Sequence, residues 1–397
     1  MKRTLSLLIL IAMVLTLAAC NNQGPQLTYP STISITTPTP TGPLYDRSSY
    51  TVDLDQILAN FDTVVVELGE IKVDVELLQM AYWTEFISFL SRNANDLDIF
   101  KLDLSLPLGQ QVNPGMGGTW QQTFLGRALD TLHGFMAMIN AAQQEGLSLP
   151  DSYLEILDTE IEDLKKAAED AEYTDMDAYV TYLYGPGCTM NALWEYNYLS
   201  LYSSYYYDVC CGRMDITDEM IEQYYAEHEQ DFINASIIKD DRIVYQVRHI
   251  LIYVEEGSDE NTWEEARVKA QGLLDQYLAG EQTQDAFGAL ATEHSDDGET
   301  YINGGFVNGL VPNSTYPTNF KEWYLDANRQ IGDTALIKTE LGYHVMYYCG
   351  TEAAWHYECG LSLANTMVAE IVPNAVSKFP ITIHYSLLMV AEPEQDS

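Results

Sequence analysis

Between residues 243 and 349 the chain alternates strand and helix signals in an order that narrows its folding options sharply. A run at 243–254, dense in Val, Ile and Tyr, has the composition of a strand. After it, Ala266, Ala270, Leu273, Leu274, Tyr277 and Leu278 recur at helical spacing until Gly280, with Thr262 at the expected N-cap and Glu264 and Glu265 in the first turn. A second helix is expected over 283–293, with Phe287, Leu290 and Ala291 on one face. The stretch 294–301 is too polar to be core and reads as a loop. Asn303-Gly304-Gly305 then supplies backbone freedom before a short strand at Phe306-Val307. A third helix is expected over 318–327, and two strands, 334–338 and 343–349, turn through Gly342. The fold class this implies is α+β, with a small antiparallel sheet and surrounding helices.

The polar punctuation of the same stretch is R-H-I-L-I at its start, S-D-D and N-G-G-F in its middle and T-E-L-G-Y-H-V at its end. Taken together and in this order, these motifs resemble the parvulin family of peptidyl-prolyl cis/trans isomerases. The resemblance implies that His249 is the histidine of the opening strand, His344 that of the closing G-x-H element, and Thr339 the hydroxyl just upstream. It places Asp297 where members of the family carry cysteine or aspartate, and Phe306, Val311 and Phe320 near the apolar residues that hold the proline ring. The chain departs from the family at Asn303, where leucine is usual, and over 312–318, which looks like an insertion. No cofactor or metal is implied.

Each residue alone also has a structural reading. A single histidine on a strand is ordinarily a satisfied side chain, Asp297 in S-D-D can cap a turn, and the aromatic residues would be core in most folds. Gly304-Gly305 reads as turn geometry, because no G-x-G-x-x-G and helix follow. Both histidines at matching ends of one unit favour a hydrogen-bonded pair under the pocket floor, with Asp297 shaping the field beside the substrate carbonyl and not acting as a nucleophile.

At the N-terminus, Lys2 and Arg3 precede an apolar run, residues 5–17, that ends in L-A-A-C at Cys20. That is the layout of an export signal, and the cysteine makes it resemble a bacterial lipoprotein signal, with residues 1–19 removed and Cys20 lipidated. An ordinary signal peptide or a short anchor is the alternative. Residues 20–60 are then the lipidated cysteine and a Thr-, Pro- and Ser-rich spacer, expected to be disordered. The chain should reside at the extracytoplasmic face of the cell membrane, held by lipid.

A helical, chaperone-like domain is expected over 61–240. It opens with a strand (63–68), a turn at Gly69-Glu70, a short strand (71–73) and a helix (75–91). This V-V-x-L-G-E-I-K-x-x-x-x-E-L opening resembles SurA-like and PrsA-like foldases. Further helices are expected over 120–145, 150–171, 176–184, 190–207 and 217–232. Tyr196, Tyr198, Tyr202, Tyr205, Tyr206 and Tyr207 crowd one of them, with Trp194 and Tyr182 nearby; they read either as bundle core or as the lining of a client cleft. The isomerase-like domain spans 241–350. Residues 351–397 either complete the chaperone-like domain or extend the isomerase sheet, with a strand expected at 381–390 and a strand and helix over 355–369.

With 19 Lys+Arg against 59 Asp+Glu the net charge is −40, which excludes nucleic acid and electrostatic attachment to anionic lipid. Cys188, Cys210, Cys211, Cys349 and Cys359 lack metal-ligand spacing; Cys349 with Cys359 is the easiest disulfide to imagine. These features describe a tethered foldase that gathers unfolded or partly folded exported polypeptides and isomerises their X-Pro bonds. The alternative is a holdase whose isomerase unit has lost activity, and a solute-binding or adhesive lipoprotein is a more distant one. Whether the chain works as a homodimer is left open.

Overall fold

The computed structural model describes residues 42–47 and 49–392. The signal segment, Cys20 and most of the spacer lie outside them. The chain divides into two compact units, the first ending at Met214 and resuming at Val368, the second running from Asp215 to Met367.

The first unit is a helical bundle with a three-stranded sheet. It contains α1 (Leu54–Leu58), β1 (Val64–Leu68), β2 (Ile71–Asp74), α2 (Val75–Asn93), α3 (Leu97–Phe100), α4 (Trp120–Gln144), α5 (Asp151–Asp170), α6 (Met176–Tyr184) and α7 (Met190–Gly212). Gly69, at φ +61°, makes the tight turn that sets Leu68 opposite Ile71. Residues 75 and 77–84 of α2 are all buried, so the first half of this helix is enclosed on every side. Trp83, Phe89, Trp120 and Phe124 build an aromatic core between α2 and α4, and Thr119 starts α4 with a capping box closed by Gln122. Three of the crowded tyrosines on α7, Tyr196, Tyr202 and Tyr206, are core, while Trp194 and Tyr182 are exposed.

The second unit holds α8 (Asp218–Glu227), α9 (Glu229–Asn234), β3 (Ile243–Tyr253), α10 (Glu260–Ala279), α11 (Gln284–His294), β4 (Phe306–Leu310), α12 (Thr318–Tyr324), β5 (Thr334–Thr339) and β6 (Gly342–Ala353). Its sheet order is β4-β3-β6-β5 with all neighbours antiparallel. Alternation along β3 and β6 sends side chains to two layers. Ile250, Ile252, Val345 and Tyr347 meet α10 and α11, whereas Val247, Met346 and Tyr348 meet Phe320, Trp323 and Tyr324 of α12. A third cluster joins Ile221, Tyr225 and Phe232 to Cys359 and Leu363. For that reason 215–240, read from sequence with the helical domain, clusters with the isomerase-like unit.

Several expected elements differ. The helix expected over 217–232 breaks at His228, and α10 is capped by Asp259, whose carboxylate accepts from Thr262 N, so Thr262 lies inside the first turn. A single helix, α13 (Ala354–Lys378), replaces the strand and helix expected after β6, its first part in the second unit and its last part in the first. Of the strand expected at 381–390 only β7 (Thr382–Ile383) forms, added to β1. Beyond it the backbone bonds elsewhere: Met389 O and Ala391 N are taken by the amide of buried Gln79, and Val390 bridges Tyr50 and Val52. Residues 351–353 lengthen β6, and 368–392 belong to the first unit. Cys349 and Cys359 form no disulfide; one packs beside the α10/α11 layer and the other beside Ile221. No helix of the described residues is long and apolar enough to cross a membrane.

Candidate active site: paired histidines beneath an aromatic pocket

His249 and His344 come from the two central strands, where Leu251 faces His344 and His249 faces Met346 across the ladder. Their rings meet with Nδ1 to Nδ1 at 3.2 Å. Both are almost wholly buried, at 2 % and 3 % exposure. At the end of β5, Thr339 Oγ1 lies 2.9 Å from His344 Nε2 and accepts from Leu341 N. On the other side, His249 Nε2 is 2.9 Å from Asp297 Oδ2 and 3.2 Å from Thr300 Oγ1. The Thr300 hydroxyl donates to the same carboxylate oxygen at 2.7 Å.

These contacts admit a directed proton order. The Asp297 carboxylate can only accept, so His249 donates to it from Nε2, and in this order its Nδ1 is the acceptor. His344 must then donate from Nδ1, which leaves its Nε2 to accept from Thr339. In this order every donor in the chain Leu341, Thr339, His344, His249 points toward Asp297. Burial, reinforced by the neighbouring His249, pushes the His344 pKa down to about 3, so this ring is uncharged at neutral pH. The hydrogen bond from His249, with that from Thr300 assisting, holds the Asp297 carboxyl well below the usual range against the opposing effect of its burial.

Local sequence explains the placement. Ser295 and Asp296, following α11, are stitched to the edge of β3: Leu251 N donates to Ser295 Oγ, Asp296 N to Leu251 O, and Tyr253 N to Asp296 Oδ2. That fixes Asp297 above His249, and Asp297 also caps its own turn by accepting from Glu299 N. The N-G-G turn is clamped by Arg248, whose Nη1 donates to Asn303 O and Gly304 O. His249 N donates to Gly305 O, so the glycine lies directly against the strand that carries the histidine.

Above the pair, Phe320 sets its ring edge-to-face against both imidazoles, with centroids 5.4 Å from His249 and 5.3 Å from His344. Val311 sits just past β4, its carbonyl holding the Tyr324 hydroxyl and its N–H donating to Ser314 Oγ. Phe306 is a correction. It pairs with Arg248, whose guanidinium lies over its ring, and so points to the α10/α11 face, away from the histidines. Val307, one residue on and paired with Val247, is the β4 side chain on the histidine face. Asn303, in place of the usual leucine, bonds Phe306 at both N and O and locks the start of β4. Two further residues were not singled out from sequence. Thr300 could have been suggested by its D-x-x-T spacing from Asp297, whereas Tyr316, stacked on Phe320 at 4.8 Å and 17°, lies in a stretch without periodicity.

The arrangement offers no activated nucleophile. It provides a polar, water-poor chain of fixed donors under an apolar surface, suited to conformational chemistry. Residues 249–349 match the family model described as Rotamase, PPIC-type PPIASE domain. The NifM protein of Azotobacter chroococcum is 27 % identical over 139 residues, which are 35 % of this chain and 43 % of that protein. Chaperone SurA of Pseudomonas putida is 34 % identical over 120 residues, 30 % of this chain and 25 % of its own. The chain therefore spans less than half the length of these curated relatives. Superposition on PrsA from Bacillus subtilis gives a TM-score of 0.33 at 16 % identity, over 67 % of this chain and 90 % of that one. From His249 to Cys349 the chain is a PPIC-type peptidyl-prolyl cis/trans isomerase domain of the parvulin family.

Proposed function

We propose that the whole protein is a membrane-tethered, extracytoplasmic foldase that binds exported unfolded polypeptides and isomerises their X-Pro bonds. The observation that carries this reading is the buried histidine pair, held in one hydrogen-bond chain against Phe320. Amide resonance sets a barrier of about 18–20 kcal/mol to rotation of a peptide bond. The twisted amide is less polarised than the planar one, so a dry pocket favours it without a covalent step. A thousandfold acceleration needs only about 4 kcal/mol. In this scheme Phe320, Val307 and Val311 hold the ring, and His249, His344, Thr339 and Asp297 fix the field beside the carbonyl.

For client capture, the stretch from α3 to Met116 exposes Ile99, Leu104, Leu106, Val112 and Met116. Scattered apolar side chains on a loop suit weak contact with many sequences. The cis-to-trans rate of an X-Pro peptide should rise with added protein and fall at least about tenfold in His344→Ala, a loss of roughly 1.4 kcal/mol of barrier lowering. Equal acceleration by variant and parent would remove the histidine pair from the mechanism. Tethering rests on the N-terminal signal alone: Cys20→Ser should move the protein from the membrane fraction to the soluble one, and unchanged retention would exclude the lipid anchor. The holdase reading is favoured by one observation, that Phe320 is 0 % exposed and so not open to a substrate ring as it stands.

A further inference from the structure

Phe320 has four aromatic neighbours, and three of them are tied down. His249 and His344 belong to the hydrogen-bond chain in the central strands, and Tyr324 donates its hydroxyl to Val311 O at 2.8 Å. The fourth, Tyr316, makes no hydrogen bond through its hydroxyl among the described residues and is held by ring stacking, parallel to Phe320 within 17° at 4.8 Å. It comes from the extra stretch between β4 and α12, whose two ends are pinned: Ser314 bonds Val311 in both directions, and Lys321 N donates to Pro317 O at the start of α12. Between these anchors Tyr316 lays its ring flat on the surface that a prolyl ring would need. Burial pushes its phenol up to about 12, with the Asp297 and Glu299 carboxylates adding to the shift, which places the phenol near the Asp297 edge of the site.

We propose that Tyr316 is the specificity-determining gate of the prolyl subsite: it stands in for the substrate ring in the free protein, and X-Pro sequences are turned over only as far as they displace it. The inference rests on the isomerase reading above for its consequence on rate, but not for its consequence on binding. A proline ring gains Phe320 only by exchange for the tyrosine, so the net selectivity depends on what the flanking residues add. The stretch 312–318 is thereby a built-in competitor, not a defect of the pocket.

The experiment uses the full chain as Tyr316→Ala and Tyr316→Phe, with two readouts. One is kcat/KM for cis-to-trans isomerisation of the peptide Ala-Ala-Pro-Phe; the other is the affinity for the same peptide carrying a fluorescent label, against an Ala-Ala-Ala-Phe control. An aromatic stack contributes a roughly two- to tenfold factor, so Tyr316→Ala should bind the proline peptide about that much more tightly, and Tyr316→Phe should match the parent. The control peptide should not respond. If kcat/KM rises in parallel, gate and isomerase stand together. Tighter binding with no activity in any variant keeps the gate and ends the isomerase reading. Weaker or unchanged proline-peptide binding in Tyr316→Ala overturns the gate, as does a gain in Tyr316→Phe, which would assign the effect to the hydroxyl.

Discussion

Gly305→Ala should destabilise the second unit by roughly 3 kcal/mol or more and abolish its activity along with its fold. A Cβ built at this position would lie 2.1 Å from His249 O and 3.0 Å from Ala291 Cβ, and the backbone there sits at φ +71°. No side-chain rotation relieves the first contact, because the obstructing atom is the backbone of β3. The conformational penalty for a left-handed residue, about 1–2 kcal/mol, adds to the clash. Gly305 also accepts from His249 N and donates to Thr300 O, so any shift that makes room moves both ends of the Asp297 contact. Gly298 supplies the control: a Cβ there meets nothing within 4 Å, and Gly298→Ala should stay within about 0.5 kcal/mol of the parent. Denaturant midpoints of the two variants decide it. A parental midpoint for Gly305→Ala would mean that the N-G-G turn does not lie against β3 as described.

The isomerase-like unit was legible in outline because its central strands are covered on both faces, and such strands read as dense runs of Val, Ile and Tyr. His249, His344 and Thr339 were named from the resemblance of their motifs to the parvulin family, not from periodicity, and the fold brings the three side chains together. Phe306 was misplaced by one residue, and in a strand one residue is the whole difference between faces. Val307 is the less conspicuous side chain and the one on the histidine face. Tyr316 was illegible because its role comes from a loop that folds back onto Phe320, and a loop carries no periodicity to read. The strand expected at 381–390 fails on the same ground: beyond Ile383, backbone groups of this segment are satisfied by Gln79, a buried glutamine of α2 some three hundred residues earlier, and no local pattern announces so distant a partner.

Acidification should weaken the second unit through His344 well before its carboxylates titrate. The folded pKa is lowered from the ordinary 6.5 to about 3, chiefly by burial, so the unfolded chain binds the proton and the folded one refuses it. The sign follows: the contribution is fully present above pH 6.5 and is lost progressively as pH falls toward 3. At 1.36 kcal/mol per unit, the loss is about 2 kcal/mol at pH 5 and about 3 kcal/mol at pH 4. Asp297 acts in a separate window. Its carboxyl is held below the usual range, so its contribution is present above about pH 4 and disappears only below that. The groups facing His344 are few: His249 from β3, Thr339 from β5, the apolar Phe320 from α12, and Asp297, which opposes the shift from beyond His249. The rest of this acidic chain gains from acid as its mutual repulsion falls, so the measurement must be a difference. Unfolding free energies of the parent and of His344→Gln, compared at pH 7 and pH 5, should diverge by about 2 kcal/mol in their pH response, with the variant flatter. Parallel profiles would show that His344 takes up its proton in the folded state as readily as in the unfolded one, and the directed chain from Thr339 to Asp297 would then not hold His344 uncharged.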